Sequence, residues 1–381
     1  MKIDLVSPYS YSHYGGVNAQ IIQLTKEYLK LGHEVNLSGI GNSPVDILNC
    51  FKATNGDPSD SYSNLSIRYL GKSIGLPANG SNANIGLSPN GLFKVLVESE
   101  NADIIHLHEP FAPGPTLMHL LKPKTSPIVA TFHRNGVDML YNAYMKAAKY
   151  LRSKIDFSAA VSQSARDTIE KVSGINADLL FNGIDLTEFK TPQISKAKKK
   201  TVNILFVGRF EPRKGYDVFL DAIKLLDDKN DFVTFTIVGS GKEFNAQQEI
   251  FKQSRNIEWL SNLDRTSLIE RYLESDIFVS PATRSESFGL VLLEAMASFN
   301  LLLVSKIKPF EAVLGEAGLY FNPGDSFDLA MNIRSLIEDT QRINIMKSKA
   351  LEKVKQYSIE NLAKIYIDVY ESLMYKHPRP L

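Results

Sequence analysis

Two segments in the second half of this 381-residue sequence set charged side chains at spacings that suit work on an anion. The first is Gly208-Arg209-Phe210-Glu211-Pro212-Arg213-Lys214-Gly215, directly after the apolar run Val202–Val207. That run reads as a buried strand, so the segment is a strand-end loop delivering Arg209 and Lys214. Two fixed cations suit a pyrophosphate leaving group, whose charge grows as its bond to carbon breaks. An isolated pair at this spacing would read as a surface turn. The strand before it, and Gly215 with a helix after it, favour a site. The second segment is Glu286-Ser287-Phe288-Gly289-Leu290-Val291-Leu292-Leu293-Glu294, two glutamates bracketing seven residues. A helix is predicted to begin at Gly289, and a helix N-terminus offers free N–H groups and a positive dipole end to an anion. Glu294, further along that helix, can accept from ribose hydroxyls, and Glu286, in the loop, from sugar hydroxyls. The competing reading is a surface helix with two solvated acids. It is disfavoured by Ala295-Met296-Ala297, which completes a longer pattern.

Weaker signals lie elsewhere. Gly15-Gly16-Val17 follows the first predicted strand. Paired glycines let a backbone approach a phosphate, and a tight βα turn explains them equally well. Thr131-Phe132-His133 ends another strand. His133 there can bond a sugar hydroxyl, although a lone histidine is more often a packed structural residue. His106 and His108, in HLHEP, alternate along a strand and read as packing and loop-anchoring residues without a third metal partner. Asn182-Gly183-Ile184-Asp185 and Gly239-Ser240-Gly241 are turn signals whose meaning depends on position.

The elements that must carry these residues alternate between strand and helix. Strands are predicted at Lys2–Ser7, Glu34–Ser38, Asp103–Leu107, Pro127–Phe132 and Phe157–Val161, with a helix at about Val17–Leu31. Residues 71–90, rich in Gly, Ser and Asn, read as loop, and Pro89 suits the first turn of a helix that follows. The polar, basic stretch 191–201 reads as a linker. Strands then resume at Val202–Val207, Val233–Val238, Asp276–Ser280 and Leu301–Val304, with a helix at Gly215–Leu226. Leu362, Ile365, Tyr366, Val369 and Leu373 recur at helical spacing near the end. The expected architecture is α/β: two doubly wound Rossmann-like domains facing across a cleft, with ligands outside the carboxyl ends of the strands. The expected boundaries are 1–190, a linker 191–201, 202–357, and a final helix in 358–381 that packs back on the body.

Composition narrows the classes. Hydrophobic residues make up 44% and charged residues 22%, ordinary values for a globular chain with real cores. The net charge is +1, and residues 1–190 hold 17 Lys/Arg against 17 Asp/Glu, leaving 26 and 25 for the rest. No global field recruits nucleic acid or anionic lipid. Cys50 is the only cysteine, so an intramolecular disulfide is impossible and a cysteine zinc site is disfavoured. No signal-peptide core or membrane-length apolar run is evident, which makes the cytoplasm the default compartment. The chain has no GxGxxG, which speaks against a dinucleotide oxidoreductase, and no DxD.

Taken together, Gly15-Gly16-Val17, His108-Glu109-Pro110, Thr131-Phe132-His133, Asn182-Gly183-Ile184-Asp185, Gly208-Arg209 with Lys214-Gly215, and Glu286 with Glu294 resemble the family 4 glycosyltransferases over nearly the whole chain. Pro8-Tyr9-Ser10 and HLHEPFAPG at 106–114 look most like the bacterial phosphatidylinositol mannosyltransferases. The resemblance implies a GT-B fold and a retaining, metal-independent hexosyl transfer without a covalent intermediate or a cofactor. It implies GDP-mannose as donor and phosphatidylinositol as acceptor, at the inner face of the plasma membrane. The catalytic set it implies is His133, Arg209, Lys214 and Glu286. Donor binding falls to Gly16, Arg209, Lys214, Asp264, Glu286, Ser287, Phe288, Gly289 and Glu294. Acceptor binding falls to Tyr9, Gly16, Asn18 and Arg134. The chain departs from those mannosyltransferases in three places. Arg134-Asn135-Gly136-Val137-Asp138 replaces small hydroxyl residues and a lysine, and the loop Asn262-Leu263-Asp264-Arg265 lacks a second acid. In the segment at 89–99, Lys94 stands against Glu98 and the neighbouring Glu100, where the family's membrane-binding helix is strongly basic. Leu92, Phe93, Leu96 and Val97 offer an apolar edge or core residues, so the expected vesicle association is weak and little affected by salt. The alternative expectation is another nucleotide sugar with a different lipid or glycan acceptor. A non-catalytic scaffold would have no need to keep Arg209, Lys214, Glu286 and Glu294.

Overall fold

A computed structural model describes residues 1–12, 15–53, 63–78, 81–86, 93, 95, 101–137, 145, 149–189, 201–226, 232–252, 254, 256–284 and 286–376. The chain forms two compact units, Met1–Ile184 with Ile359–Leu381, and Asp185–Ser358. Residues 191–200 of the expected linker and most of the segment at 89–99 lie outside the described residues. Within that segment Phe93 is exposed and Val95 is buried.

Unit 1 runs β1 (Lys2–Ser10), α1 (Gly16–Lys30), β2 (Glu34–Ile40), α2 (Pro44–Ala53), β3 (Leu65–Tyr69), β4 (Ser73–Ala78), β5 (Ser81–Gly86), β6 (Ile104–His108), α3 (Pro115–Leu121), β7 (Ile128–Phe132), β8 (Phe157–Ala160), α4 (Gln163–Ser173) and β9 (Asp178–Leu179). Unit 2 runs β10 (Val202–Arg209), α5 (Tyr216–Leu225), β11 (Val233–Ser240), α6 (Lys242–Ile250), β12 (Ile257–Leu260), α7 (Arg265–Glu274), β13 (Ile277–Ser280), α8 (Leu290–Ala297), β14 (Leu301–Ser305), α9 (Lys308–Leu314), β15 (Gly318–Phe321), α10 (Ser326–Glu338) and α11 (Thr340–Val354). The last helix, α12 (Ile359–Lys376), belongs to unit 1.

Both sheets are doubly wound. The main path in unit 1 is β3-β2-β1-β6-β7-β8-β9, and in unit 2 it is β12-β11-β10-β13-β14-β15, every neighbour on either path parallel. Strand order reverses beside β1 in the first sheet and beside β10 in the second, and crevices in such sheets open at that reversal, outside the carboxyl ends. The central strands are buried on both faces because helices cover both: β6, β7 and β14 are buried at every residue.

Within the stretch 71–90, expected as loop, residues Ser73–Ala78 and Ser81–Gly86 are strand instead. β4 and β5 form an antiparallel hairpin, from Ser73↔Gly86 to Ala78↔Ser81, and β5 meets β1 at Tyr9↔Ile85. Backbone pairing makes these strands from residues with poor strand propensity, which is a weak guide where context decides.

The amphipathic tail contributes Ile359, Leu362, Ala363, Tyr366, Tyr370 and Leu373 to the core of unit 1. Its return gives the Asn-Gly turn a role. The Ile359 N–H donates to the Ile184 carbonyl at 3.0 Å, and a Cβ on Gly183 would lie 2.7 Å from Ile359 Cα. Only glycine lets the outgoing and returning backbones pass that closely. Among the described residues no helix is long and apolar enough to cross a membrane.

Candidate functional site

In unit 2 the reversal point carries the charged segments. Arg209 is the last residue of β10 and Lys214 closes a 3-10 turn at Pro212–Lys214. Gly215 then takes φ +68 as the N-cap of α5, and a Cβ there would sit 1.9 Å from the Pro281 carbonyl oxygen. Glycine is therefore required for the β10 loop to lie against the end of β13. That contact brings Glu286, in the loop after β13, onto the cations. Lys214 Nζ is 2.5 Å from Glu286 Oε1, and Arg213 Nη1 is 3.3 Å from the same oxygen. Arg213 Nη2 reaches Glu211 at 2.7 Å, and Glu211 reaches Arg209 Nη1 at 3.0 Å. The result is one chain of alternating charge, Arg209–Glu211–Arg213–Glu286–Lys214. Arg209 and Lys214 are its more open cations, with 54% and 23% of their side chains exposed against 14% for Arg213. Sequence reading placed Arg209, Lys214 and Glu286 here. It gave no role to Glu211 or Arg213, although the close spacing of charges was the available signal.

Gly289 is the N-cap of α8, and Phe288 before it is buried against Tyr357, ring centroids 5.9 Å apart. Glu294, one turn into α8, meets different partners from Glu286. Arg265 Nη1 donates to its Oε1, and the Tyr272 hydroxyl donates to its Oε2 at 2.9 Å. Arg265 also donates to Glu188 Oε2 from Nε at 3.0 Å and from Nη2 at 2.8 Å. Asp264 caps α7, its carboxylate accepting from the Ser267 N–H at 2.8 Å, and that bond holds its carboxyl below the usual range. Tyr272, Arg265 and Glu188 were not foreseen: Arg265 lies 29 residues from Glu294 and 77 from Glu188, separations that no local pattern reveals.

In unit 1 the site residues gather at the ends of β1, β6 and β7. His133 follows β7, is buried, and has Nε2 2.9 Å from His108 Nδ1. The backbone N–H groups of His133 and Arg134 both donate to Glu109 Oε1, the latter at 2.7 Å. Glu109 itself sits at φ 50. Below them His106 Nδ1 lies 2.6 Å from the Tyr370 hydroxyl, and its Nε2 lies 2.7 Å from Thr131 Oγ1. Thr131 in turn meets the Tyr366 hydroxyl at 2.8 Å, and Tyr370 meets Tyr28 at 3.0 Å. Burial pushes His106 and His133 down to about 3 and His108 well below its ordinary value, so all three are neutral imidazoles near pH 7. Burial raises the Glu109 carboxyl, opposed by the N–H groups it accepts.

Gly16 opens α1, with Gly15 as its N-cap. Tyr9, near the end of β1, donates its N–H to Ser7 Oγ at 3.2 Å. Asn18 is buried, accepts from Ser7 Oγ at 2.6 Å and donates to the Ser10 carbonyl at 2.9 Å, so it holds the end of β1 in shape. Arg134 turns its Nε to the Gly136 carbonyl at 3.3 Å. Among the described residues no group of three or more His, Cys, Asp or Glu is arranged to hold a metal ion.

Comparison with known proteins gives this geometry a family. Residues 14–188 match Glycosyltransferase Family 4, and residues 187–357 match Glycosyl transferases group 1. The phosphatidyl-myo-inositol mannosyltransferase of Mycolicibacterium smegmatis is 29% identical over 380 residues, covering 98% of this chain and 94% of the relative. The protein of the same description from Mycobacterium leprae is 29% identical over 381 residues, covering 98% and 97%. Among solved structures, Anabaena HepE in complex with UDP and glucose superposes with a TM-score of 0.74 at 19% identity, over 98% of this chain and all of that one (100%). The pneumococcal O-GlcNAc transferase GtfA, in complex with UDP and GlcNAc, gives 0.74 at 12% identity over 98% and 99%. The two adjoining family segments and the two doubly wound sheets agree, and the chain belongs to the family 4 glycosyltransferases, on the GT-B fold.

Proposed function

We propose that this glycosyltransferase moves mannose from GDP-mannose to an acceptor hydroxyl with retention of configuration, and that phosphatidylinositol is the acceptor. The observation that carries the reading is the alternating chain Arg209–Glu211–Arg213–Glu286–Lys214 at the reversal point of unit 2. Its cations are held by carboxylates before any substrate arrives, so they need little reorganisation when a diphosphate takes over their charge. Glu286 then accepts from sugar hydroxyls. The acceptor oxygen bonds to the anomeric carbon on the face from which the diphosphate oxygen departs. The acceptor proton passes to that departing oxygen, and GDP leaves. Positioning and charge neutralisation do the work, and no protein base is required. His133, neutral through burial, bonds a hydroxyl rather than moving a proton. The names of the mycobacterial relatives support mannose and phosphatidylinositol.

The test is transfer of radiolabelled mannose from GDP-mannose to phosphatidylinositol vesicles in excess EDTA, with the anomer read by NMR. Transfer with retained configuration is expected. Activity lost in EDTA and restored by magnesium would overturn the metal-independent mechanism. A second reading, another nucleotide sugar and acceptor, is favoured by the loop Asn262-Leu263-Asp264-Arg265, which lacks the second acid that the resemblance implies and whose Arg265 engages Glu188 and Glu294 instead. A thermal-shift panel of GDP, UDP and ADP sugars separates the two, since a ligand at 100 times its dissociation constant adds about 2.7 kcal/mol. The exposed Phe93 supports weak, mainly apolar contact with a membrane, read by vesicle flotation at low and high salt.

A further inference from the structure

Glu294 is held from two sides, and one of them leads back to the turn where unit 2 begins. Tyr272 fixes Oε2 and Arg265 fixes Oε1. Arg265 is only 8% exposed, and Glu294 and Glu188 are 13% and 14% exposed. Two carboxylates thus share one guanidinium in a largely dry setting, where hydrogen bonds to charged groups are strong and their geometry is fixed. Glu188 lies in a 3-10 turn at Leu186–Glu188 that Asp185 caps, accepting from the Thr187 N–H at 2.9 Å. That turn is the first structure of unit 2 after the chain leaves unit 1 at Ile184. The Phe189 ring beside it carries the Arg265 guanidinium at 5.5 Å from its centroid. Arg265 is therefore seated on Glu188 and Phe189 and from that seat aims one N–H at Glu294.

We propose that Arg265 and Glu188 are positioning residues for nucleoside diphosphate binding: Glu188 and Phe189 orient Arg265, and Arg265 with Tyr272 orients the Glu294 carboxylate for the ribose hydroxyls. The proposal rests on Glu294 being a donor-binding carboxylate, as in the function proposed above. It adds that donor affinity is set in part from the turn at which the chain enters unit 2. Guanidinium geometry is essential here, because a lysine is a point charge and cannot fork between two carboxylates. Glu188→Gln keeps size and one acceptor while removing the charge that seats the arginine.

Titration calorimetry with GDP and with UDP on the full chain tests this without depending on acceptor or turnover. Glu294→Gln, Arg265→Lys and Glu188→Gln are compared with wild type, with thermal unfolding run in parallel. In all three variants the better-bound nucleotide should weaken by roughly tenfold, the equivalent of one charge-assisted hydrogen bond. In turnover the donor KM should rise while kcat stays within about twofold, the pattern of lost uniform binding. A merely structural role would lower the melting temperature of Glu188→Gln and Arg265→Lys and leave nucleotide affinity unchanged, which overturns the proposal. Weakening in Glu294→Gln with wild-type affinity in the other two overturns it while sparing the function. Wild-type affinity in Glu294→Gln removes the donor role of that carboxylate, and the proposal falls with it.

Discussion

The strand ends of unit 1 converge on imidazole rings and hydroxyls, and those of unit 2 on guanidinium, ammonium and carboxylate groups. His106, His108, Thr131, His133, Tyr366 and Tyr370 are all buried, and their bonds run through neutral rings and hydroxyls. Arg209, Glu211, Arg213, Lys214 and Glu286 form a partly open ionic chain. Neutral buried bonds are insensitive to salt and exact strict geometry, which suits recognition of hydroxyl groups. A partly open ionic chain exchanges its internal carboxylates for an arriving anion, which suits a substrate that must bind and leave. One fold, used twice, therefore presents two kinds of chemistry, and the difference lies in the residues at equivalent strand ends.

Acid should separate the two units most. In the unfolded chain each histidine takes up a proton near pH 6.5. In the native protein His106 and His133 do so only at about 3, and His108 is likewise held well below its ordinary value by burial. The unfolded state binds more protons in that window, so stability falls as pH drops from 6.5 towards 3. By pH 4.5, His106 and His133 together cost on the order of a few kcal/mol. The raised Glu109 carboxyl has the opposite sign: it contributes stability at low pH and loses it as pH rises through its native pKa. Hydrogen exchange in β6 and β7 should accelerate before the emission of Trp259 changes, since that sole tryptophan lies in β12. Simultaneous loss of both signals would erase the distinction.

Catalysis should separate them next. Arg209→Ala or Lys214→Ala should each weaken kcat/KM by the equivalent of about 2–4 kcal/mol with the fold retained, because in the proposed function each cation meets the developing charge. His133→Ala removes one neutral bond and should cost about 1 kcal/mol. Equal losses in steady-state kinetics would break the comparison.

Smaller effects belong to stability. Tyr370→Phe strips a partner from His106 and from Tyr28, both buried, and should cost about 1–3 kcal/mol in urea unfolding. Lys224→Ala breaks an exposed pair with Asp221 in unit 2 and should stay within about 0.5 kcal/mol. A larger loss from Lys224 than from Tyr370 would invert the expected ranking.

Much of the fold was legible because parallel strands under helices are continuous apolar runs, as at Ile204–Val207 and Leu301–Val304. The β4–β5 hairpin was not, since Ser73–Ala78 and Ser81–Gly86 are held by backbone ladders that leave little mark on residue type. At the site, the residue types and their strand-end positions were readable in Gly208–Gly215 and Glu286–Glu294. Their pairing was not. Nothing local says that Glu286 meets Lys214 while Glu294 meets Arg265 and Tyr272, because those contacts depend on which loops the sheet order brings together. The alternation of His106 and His108 along β6 marks His108 as a packing residue but not its partner, His133.

The helix that closes unit 1 has a consequence for biosynthesis. Residues 185–358 are contiguous, so unit 2 holds everything it needs once its own last residue has left the ribosome. Unit 1 does not. Ile359, Leu362, Ala363, Tyr366, Tyr370 and Leu373 complete its core and are made after all of unit 2. The usual vectorial order, in which the N-terminal domain finishes first, is reversed for this chain. Until synthesis reaches α12, the first half of the nascent protein carries an apolar face and the buried rings of His106 and Tyr28 without their Tyr370 partner. That interval is when the chain most needs protection from aggregation.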